Sequence, residues 1–495
     1  MNDLYITTSI PFVNGSPHLG HALELVHVDA LARHRRRRGA VARTQSGTDD
    51  HAIKNVSAAA SAGVCVADLV TSNGDRFVEL AAALDVQIDE FLRTSSDPRH
   101  APGVTALWSA CEASGDLYQE DYVGLYCPGC EQFYAPGELV EGRCAEHAAP
   151  VQEIAETNWF FRLSRYRGQI IELITSGILA VEPRQRRNEI LGFLAADVHD
   201  VSVSRASARA DGWGIPVPDD PDQVVYVWFD ALTNYLTGLG FGGDDADYQR
   251  WWVQDNDKVH VVGKGIARFH AVYWIAFLLS AGLPLPTRIL VHDYLTVDGA
   301  KIAKSGAQAA DPAAVVATYG VDALRWWILR DPAPVGATDY TNERLVACYN
   351  RDLANCLGNL ASRTLALDDR QRSWRSEPAT DVGGALRAAA ASLPTTIDAA
   401  LARYDFRAAC EAIAGLAEAG NRFVEAEAPW HLASAADAGD TAAAARFEAV
   451  IGTLLHICRV AAQELEPFVP DGAARLTARL RAQGAPAPVF PRLVV

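Results

Sequence analysis

The chain has 495 residues, 49% of them hydrophobic and 21% charged, enough to bury more than one core and by size to form roughly three domains. It contains no apolar run of roughly 18 residues, the length a membrane span needs, and its first residues, Met1 to Ile6, lack the basic and apolar segments of a secretion signal. A cytoplasmic protein without membrane association is therefore expected, and the formal charge of −17 leaves an RNA partner open because net charge does not locate patches.

In chain order, Leu4 to Ile10 is β-rich and runs into the turn-forming segment Pro11-Phe12-Val13-Asn14-Gly15-Ser16-Pro17. From His18 the pattern becomes helical, with Leu19, Leu23, Val26 and Ala30 on one face. Strand, glycine-containing turn and helix open a nucleotide-binding α/β unit. The basic run Arg33 to Arg38 ends that helix, where cations complement the carbonyl dipole, and a solvated terminus is expected there. A segment rich in Cys, Gly and Pro follows, and then a second α/β section from about Val224 to Arg330. Its expected strands are Val224 to Phe229, Lys258 to Val262 and Arg288 to Val297, and Ala271 to Leu283 reads as a buried helix. Beyond about Thr341 the sequence is alanine-rich and helical. The segmentation this gives is 1–115, 116–223, 224–340 and 341–495.

Three local patterns carry chemistry. In His18-Leu19-Gly20-His21 two imidazoles at i and i+3 share the first helical turn, where free backbone N–H groups already attract phosphate, and the glycine lets a nucleotide lie close. Such donors stabilise charge growing on phosphoryl oxygens. Taken alone, two histidines at a helix start are more often surface residues. In Lys301-Ile302-Ala303-Lys304-Ser305 two lysines on a loop can reach a triphosphate as pyrophosphate leaves, although an ordinary exposed loop reads the same way. Cys127-x2-Cys130 followed after 13 residues by Cys144-x2-His147 suits one tetrahedral, structural Zn2+ with no open position for catalysis. The remaining cysteines, Cys65, Cys111, Cys348, Cys356, Cys410 and Cys458, read as small apolar residues rather than a disulfide framework.

A histidine motif at the first strand–helix junction paired with a lysine motif after the last strand is the signature of class I aminoacyl-tRNA synthetases. From about residue 4 to about residue 470 the chain resembles the methionyl type with a single zinc knuckle. The likeness is carried by Val13 to His21, Gly47-Thr48-Asp49-Asp50-His51, Trp213 to Pro218, Tyr226 to Leu232 and Asn158 to Leu163. The resemblance implies a split Rossmann-like catalytic domain, a zinc-bearing connective insertion and a C-terminal α-helical anticodon-binding domain. It implies activation of methionine by ATP with Mg2+, and transfer to tRNA(Met); with the sequence ending soon after Pro467 to Pro470, a monomer is expected. His18, His21, Lys301 and Lys304 are then catalytic. Asp49 holds the substrate ammonium, while Ile10, Phe12, Trp228, Ala231, Leu232, Tyr235, Ile266 and His270 enclose the thioether, which is apolar and polarizable. Asn359, Arg363 and Trp430 match positions that grip the CAU anticodon by hydrogen bonding and stacking. Taken singly, Trp430 reads as core and Arg363 as solvated.

Departures from the family pattern cluster around ATP. Gly263-Lys264-Gly265 stands where the family has Gly-Lys-Asp, so a carboxylate expected to contact the ribose is missing. His292-Asp293 replaces His-Gly, Ala303 replaces serine, and Gly306-Ala307-Gln308 replaces Leu-Gly-Asn. Phe12 stands where the family commonly has tyrosine. These departures keep two alternatives open: a synthetase-like ligase that passes an aminoacyl adenylate to a small amine, and an inactive tRNA-binding paralogue.

Overall fold

The computed structural model describes residues 2–127, 132–134, 136–144, 150–196, 198–243, 245–297, 299–301, 311–368, 382–481 and 488–495. The chain divides into two compact units, Met1–Ala82 with Val86–Tyr294, and Ala83–Asp85 with Leu295–Val495.

The first unit is built on a parallel sheet of six strands, β1 Leu4–Thr8, β2 Ala42–Thr48, β3 Glu90–Arg93, β4 Ala180–Glu182, β5 Asp257–Gly263 and β6 Arg288–His292. Their spatial order is β3-β2-β1-β5-β6-β4, every pair parallel. All five residues of β1 are buried, as expected of a strand covered on both faces. The order reverses between β1 and β5, and in such sheets ligands bind beyond the carboxyl ends of the strands at that point. Gly47 in β2 has no freedom to be anything larger, because a Cβ there would lie 2.1 Å from the carbonyl oxygen of Leu92.

Helix α1, Leu19–Arg37, follows β1 as expected. Its basic end is not a solvated terminus. Arg33 is buried against Asp29 at 2.8 Å, Arg35 reaches Asp257 at 2.6 Å and Arg36 reaches Asp89 at 2.8 Å. The charges anchor the helix to the amino ends of neighbouring strands and loops.

The segment between the two halves forms a separate antiparallel sheet, dominated by the pairing of Leu117–Cys127 with Gln152–Phe161. It also returns β4 to the edge of the parallel sheet. Two expected strands differ. Val224 to Phe229 is a strand only to Val225, and helix α2, Val227–Thr237, begins immediately. Every residue of α2 is buried, so its apolar run has no exposed face to reveal a helical period. The expected strand Arg288 to Val297 is broken into β6 and Leu295–Val297 at Asp293 and Tyr294, where the buried Asp293 carboxylate pairs with Arg186. Ala271 to Leu283 is a buried helix through Ser280.

The second unit opens with the strands Leu295–Val297, Ala300–Lys301 and Thr338–Tyr340 and continues in helices. The buried Arg325 guanidinium donates to the carbonyls of Leu84 and Phe468, at 3.0 and 2.9 Å, and so ties the short Ala83–Asp85 segment into this unit. Helix Thr441–Leu465 is long and apolar enough to cross a membrane, and its most apolar window is 56% buried within the protein. Of the single cysteines, Cys65 is exposed and the others are buried.

Candidate active site

His18 is the N-cap of α1, and it forms a reciprocal cap with His21. The Gly20 N–H donates to His18 Nδ1 at 3.1 Å, and the His18 N–H donates to His21 Nδ1 at 3.0 Å. The two rings stack with centroids 3.8 Å apart, and His21 rests edge-on against Phe77 at 5.0 Å. Since each Nδ1 accepts a backbone proton, each neutral ring carries its own proton on Nε2 and presents an Nε2–H donor. Gly20 has a nearer reason to be glycine than an approaching nucleotide: a Cβ would sit 2.9 Å from His18 Cε1 and spoil the cap.

A residue the sequence did not single out braces this corner. Glu24, one turn on in α1 and buried, accepts from the Ser9 hydroxyl at 2.6 Å and from the Ser9 N–H, while its other oxygen lies 3.0 Å from His292 Nε2. The carboxylate thereby ties the ends of β1 and β6 to α1. A single glutamate in a helix gives no sequence signal, because most lie on solvated faces.

The residues read as an amino-acid pocket are brought together. On α2, Trp228, Ala231, Leu232 and Tyr235 follow the i, i+3, i+4, i+7 pattern of one face, and all are buried. Phe12 meets Trp228 at 6.0 Å, and Trp228 stacks on Phe269 at 3.9 Å and stands edge-on to His270 at 6.4 Å. Tyr235 and His270 are joined at 2.7 Å. His270 Nδ1 faces the Ile266 carbonyl at 2.9 Å, so that nitrogen carries the proton and Nε2 accepts from the Tyr235 hydroxyl. Burial pushes His270 down to about 4 and Tyr235 well above its ordinary value, which keeps both neutral. Ile266 and Ile10 are partly buried, with Ile266 packed against the same core. The buried Asp49 bridges backbone to backbone with Phe12, at the mouth of these rings.

Behind Asp49 lies a triad of side chains that sequence reasoning missed. The fully buried Asp230 accepts from His51 Nδ1 at 2.7 Å and from His100 Nε2 at 2.6 Å, and Thr237 lies 2.8 Å from the other nitrogen of His100. Trp213 donates to the Asp50 carbonyl at 2.7 Å and stands edge-on to His51 at 5.7 Å. Burial alone would raise the Asp230 carboxyl, but the two imidazoles outweigh it and hold it below the ordinary range. Burial would lower His51, and Asp230 outweighs that and raises it. The histidine in Gly47-Thr48-Asp49-Asp50-His51 was the available clue. Its partner 179 residues away was not legible in sequence.

Lys301 lies on strand Ala300–Lys301, and Lys304 is outside the described residues. Cys127 and Cys144 are buried in one small cluster with Tyr134, whereas Cys130 and His147 are outside the described residues. Among the described residues no group of three or more potential ligands is gathered for a metal. A cavity of about 850 Å3 opens between the insertion and the second α/β section, walled in part by Tyr118, Tyr122, Phe160 and Tyr273, and none of the residues read as catalytic lines it.

In the second unit the Arg363 guanidinium lies 5.9 Å from the centre of the Trp430 ring and pairs with Glu425 at 2.7 Å. Trp430 is half-buried just inside helix Pro429–Asp437, after Ala428 at φ 42, and is not a core residue. Asn359 is exposed one turn before Arg363 and donates to Asn421 at 3.3 Å.

Comparison with known proteins agrees with this geometry. The family model of class I tRNA synthetases of the M type matches residues 4–153 and 136–365, and that of the anticodon-binding domain of methionyl tRNA ligase matches 378–489. The methionine–tRNA ligase of Mycobacterium bovis is 37% identical over 485 residues, covering 96% of this chain and 91% of the relative. That of Brucella suis is 35% identical over 520 residues, covering 99% and 98%. The solved Mycobacterium tuberculosis methionyl-tRNA synthetase in complex with methionyl-adenylate superposes with a TM-score of 0.92 at 35% identity, covering 99% of this chain and all of that one. With two family models in sequence order and such relatives along nearly its whole length, the chain belongs to the methionyl class I tRNA synthetases.

Proposed function

We infer that the chain is a methionine–tRNA ligase, and the observation that carries this reading is the reciprocal His18–His21 cap at the reversal point of the parallel sheet. Methionine lies among Phe12, Trp228, Tyr235 and His270, with its ammonium on Asp49. Ile10, Ala231, Leu232 and Ile266 complete the enclosure. A carboxylate oxygen of methionine attacks the α-phosphorus of ATP, a new P–O bond forms, and the bond to the bridging oxygen breaks to release pyrophosphate. The Nε2–H donors of His18 and His21, with the N-terminus of α1, meet the charge that grows on the phosphoryl oxygens. Lys301 and Lys304 neutralise the departing pyrophosphate, whose Mg2+ arrives with ATP. A terminal ribose hydroxyl of tRNA(Met) then attacks the acyl carbon and AMP leaves.

The connective segment, residues 116–223 within the divisions 1–115, 224–340 and 341–495, would hold one zinc through Cys127, Cys130, Cys144 and His147. The burial of two of these thiols in one cluster fits such a group. The metal would cross-link the insertion and take no part in the reaction. Arg363, Trp430 and Asn359 would hold unstacked anticodon bases, with the half-buried ring offering a stacking face next to a guanidinium. We place the enzyme in the cytoplasm as a monomer.

The test separates activation from transfer. Methionine-dependent exchange of pyrophosphate into ATP and charging of a CAU tRNA are both expected. Trp430→Ala should cut charging by about ten- to a hundredfold, the equivalent of one lost base stack of about 1–3 kcal/mol, and leave exchange unchanged. Adenylate formation without charging of any CAU tRNA would favour a small-amine acceptor instead.

A further inference from the structure

The carboxyl ends of β5 and β6 carry a charge cluster that the reaction above does not use. Gly263 and His292 pair as the last residues of β5 and β6, so Lys264 and Asp293, the residues that follow them, leave the carboxyl ends of the two strands side by side. Asp293 is buried, and both its oxygens face Arg186 Nη2, at 2.5 and 2.7 Å. Arg186, from helix Arg184–Ala195, is steadied in turn by Glu189, which its Nη1 reaches at 2.6 Å. The Lys264 ammonium lies 3.7 Å from Asp293 Oδ1 and 4.6 Å from the centre of the Tyr294 ring, while 33% of its side chain stays exposed.

We propose that Asp293 is a positioning residue for nucleotide binding, which, clamped by Arg186, fixes the Lys264 ammonium at the edge where the ribose-phosphate of ATP arrives. The proposal rests on the reading of the chain as an ATP-dependent ligase. A lysine is a point charge on a flexible stem, and it delivers that charge to one place only if neighbours hold it there. Here a carboxylate and a ring face do so, one by opposite charge and the other by its quadrupole. The Arg186 clamp prevents Asp293 from following the lysine, so the lysine is the member that settles. Gly265, next in the same 3-10 turn, offers no side chain to do the same work. Ligands of parallel sheets bind outside the carboxyl ends of the strands, and of the two cations in this cluster Lys264 has more surface to give an anionic ligand than the buried Arg186.

The test is calorimetric binding of ATP without methionine, alongside pyrophosphate exchange. Asp293→Asn should weaken ATP binding about five- to tenfold, the size of one oriented charged contact, and raise KM for ATP in step while KM for methionine holds. Lys264→Met, which leaves the Arg186–Asp293 clamp whole, should give the same loss with an unchanged melting temperature. The double variant should be no worse than Lys264→Met alone. Additive losses, equal damage to both substrates, or a Lys264→Met protein that binds ATP like the parent would overturn the proposal. Because binding is read directly, failure of the ligase reading would show separately, as a parent that binds ATP but exchanges no pyrophosphate with methionine.

Discussion

The side chains proposed to meet the amino acid and those proposed to meet the nucleotide are built from opposite materials. The end proposed for the amino acid is a nest of rings in which the polar contacts of His270, to Tyr235 and to the Ile266 carbonyl, are spent internally. The end proposed for the nucleotide is made of ionisable side chains in contact: Glu24 with His292, and Asp293 with Arg186 and Lys264. A thioether offers almost nothing to hydrogen-bond, so its pocket can select only by shape and by refusing charge. A nucleotide carries charge of its own, and its site has to place countercharges without letting them collapse on one another. The Asp230 network holds the loop that follows Asp49 against α2 through His51.

Breaking that network should produce the largest effect. Asp230→Ala removes the one carboxylate that His51 and His100 share, leaving two buried donors, and should cost about 3–5 kcal/mol in urea unfolding. The contribution of Asp230 is present above the ordinary carboxyl value and is lost as pH falls through its depressed folded value. The charge on His51, whose value is raised, contributes fully below the ordinary imidazole value and fades as pH rises through the folded one. The difference in stability between parent and variant should therefore be widest between about pH 4 and 6.5 and narrow on both sides. A constant difference from pH 4 to 9 would mean that packing, and not charge, holds the network.

Next in size is His21→Ala, which sharpens the contrast from the nucleotide side. On the proposed mechanism it removes one Nε2–H donor to the transition state and should lower pyrophosphate exchange by about 10²–10³-fold, as loss of one preorganised donor does. It also deletes half of the reciprocal cap, so the helix should lose about 1 kcal/mol, a drop visible in thermal melting but too small to explain the rate. Exchange that falls only in proportion to the folded fraction would reduce His21 to a cap.

What could be read in the sequence follows the same division. Trp228, Ala231, Leu232 and Tyr235 could be singled out because they lie in or beside a block that resembles the family's, and His18 and His21 because they are neighbours in one helical turn, although their reciprocal cap was not foreseen. The helical period of α2 was hidden, since burial on every side left no polar face to mark it. Glu24, Asp230 and His100 were invisible for another reason: each acts through a partner distant in the chain, His292, His51 and Asp230, and no local pattern records a contact made by folding. The basic end of α1 misled because dipole arguments treat a helix alone, whereas Arg35 and Arg36 had carboxylates of other elements within reach.

The smallest effect tests whether the amino-acid end is as neutral as its contacts require. Tyr235→Phe keeps the ring and removes only the hydroxyl that donates to His270 Nε2, leaving a buried acceptor without its partner, which costs about 1–3 kcal/mol. The His270 ring remains held by its other nitrogen at the Ile266 carbonyl, so the loss should be felt as looseness and not collapse. KM for methionine should rise a few-fold while KM for ATP is unchanged, the reverse of the pattern expected for Asp293→Asn. Acid adds a second reading. Burial lowers His270 to about 4, so its contribution to stability is intact above the ordinary imidazole value of about 6.5 and declines as pH falls from there toward 4. Replacing His270 with leucine should flatten that part of the stability curve, and a curve with the parent's slope would assign the acid loss to other buried groups, His260 first among them.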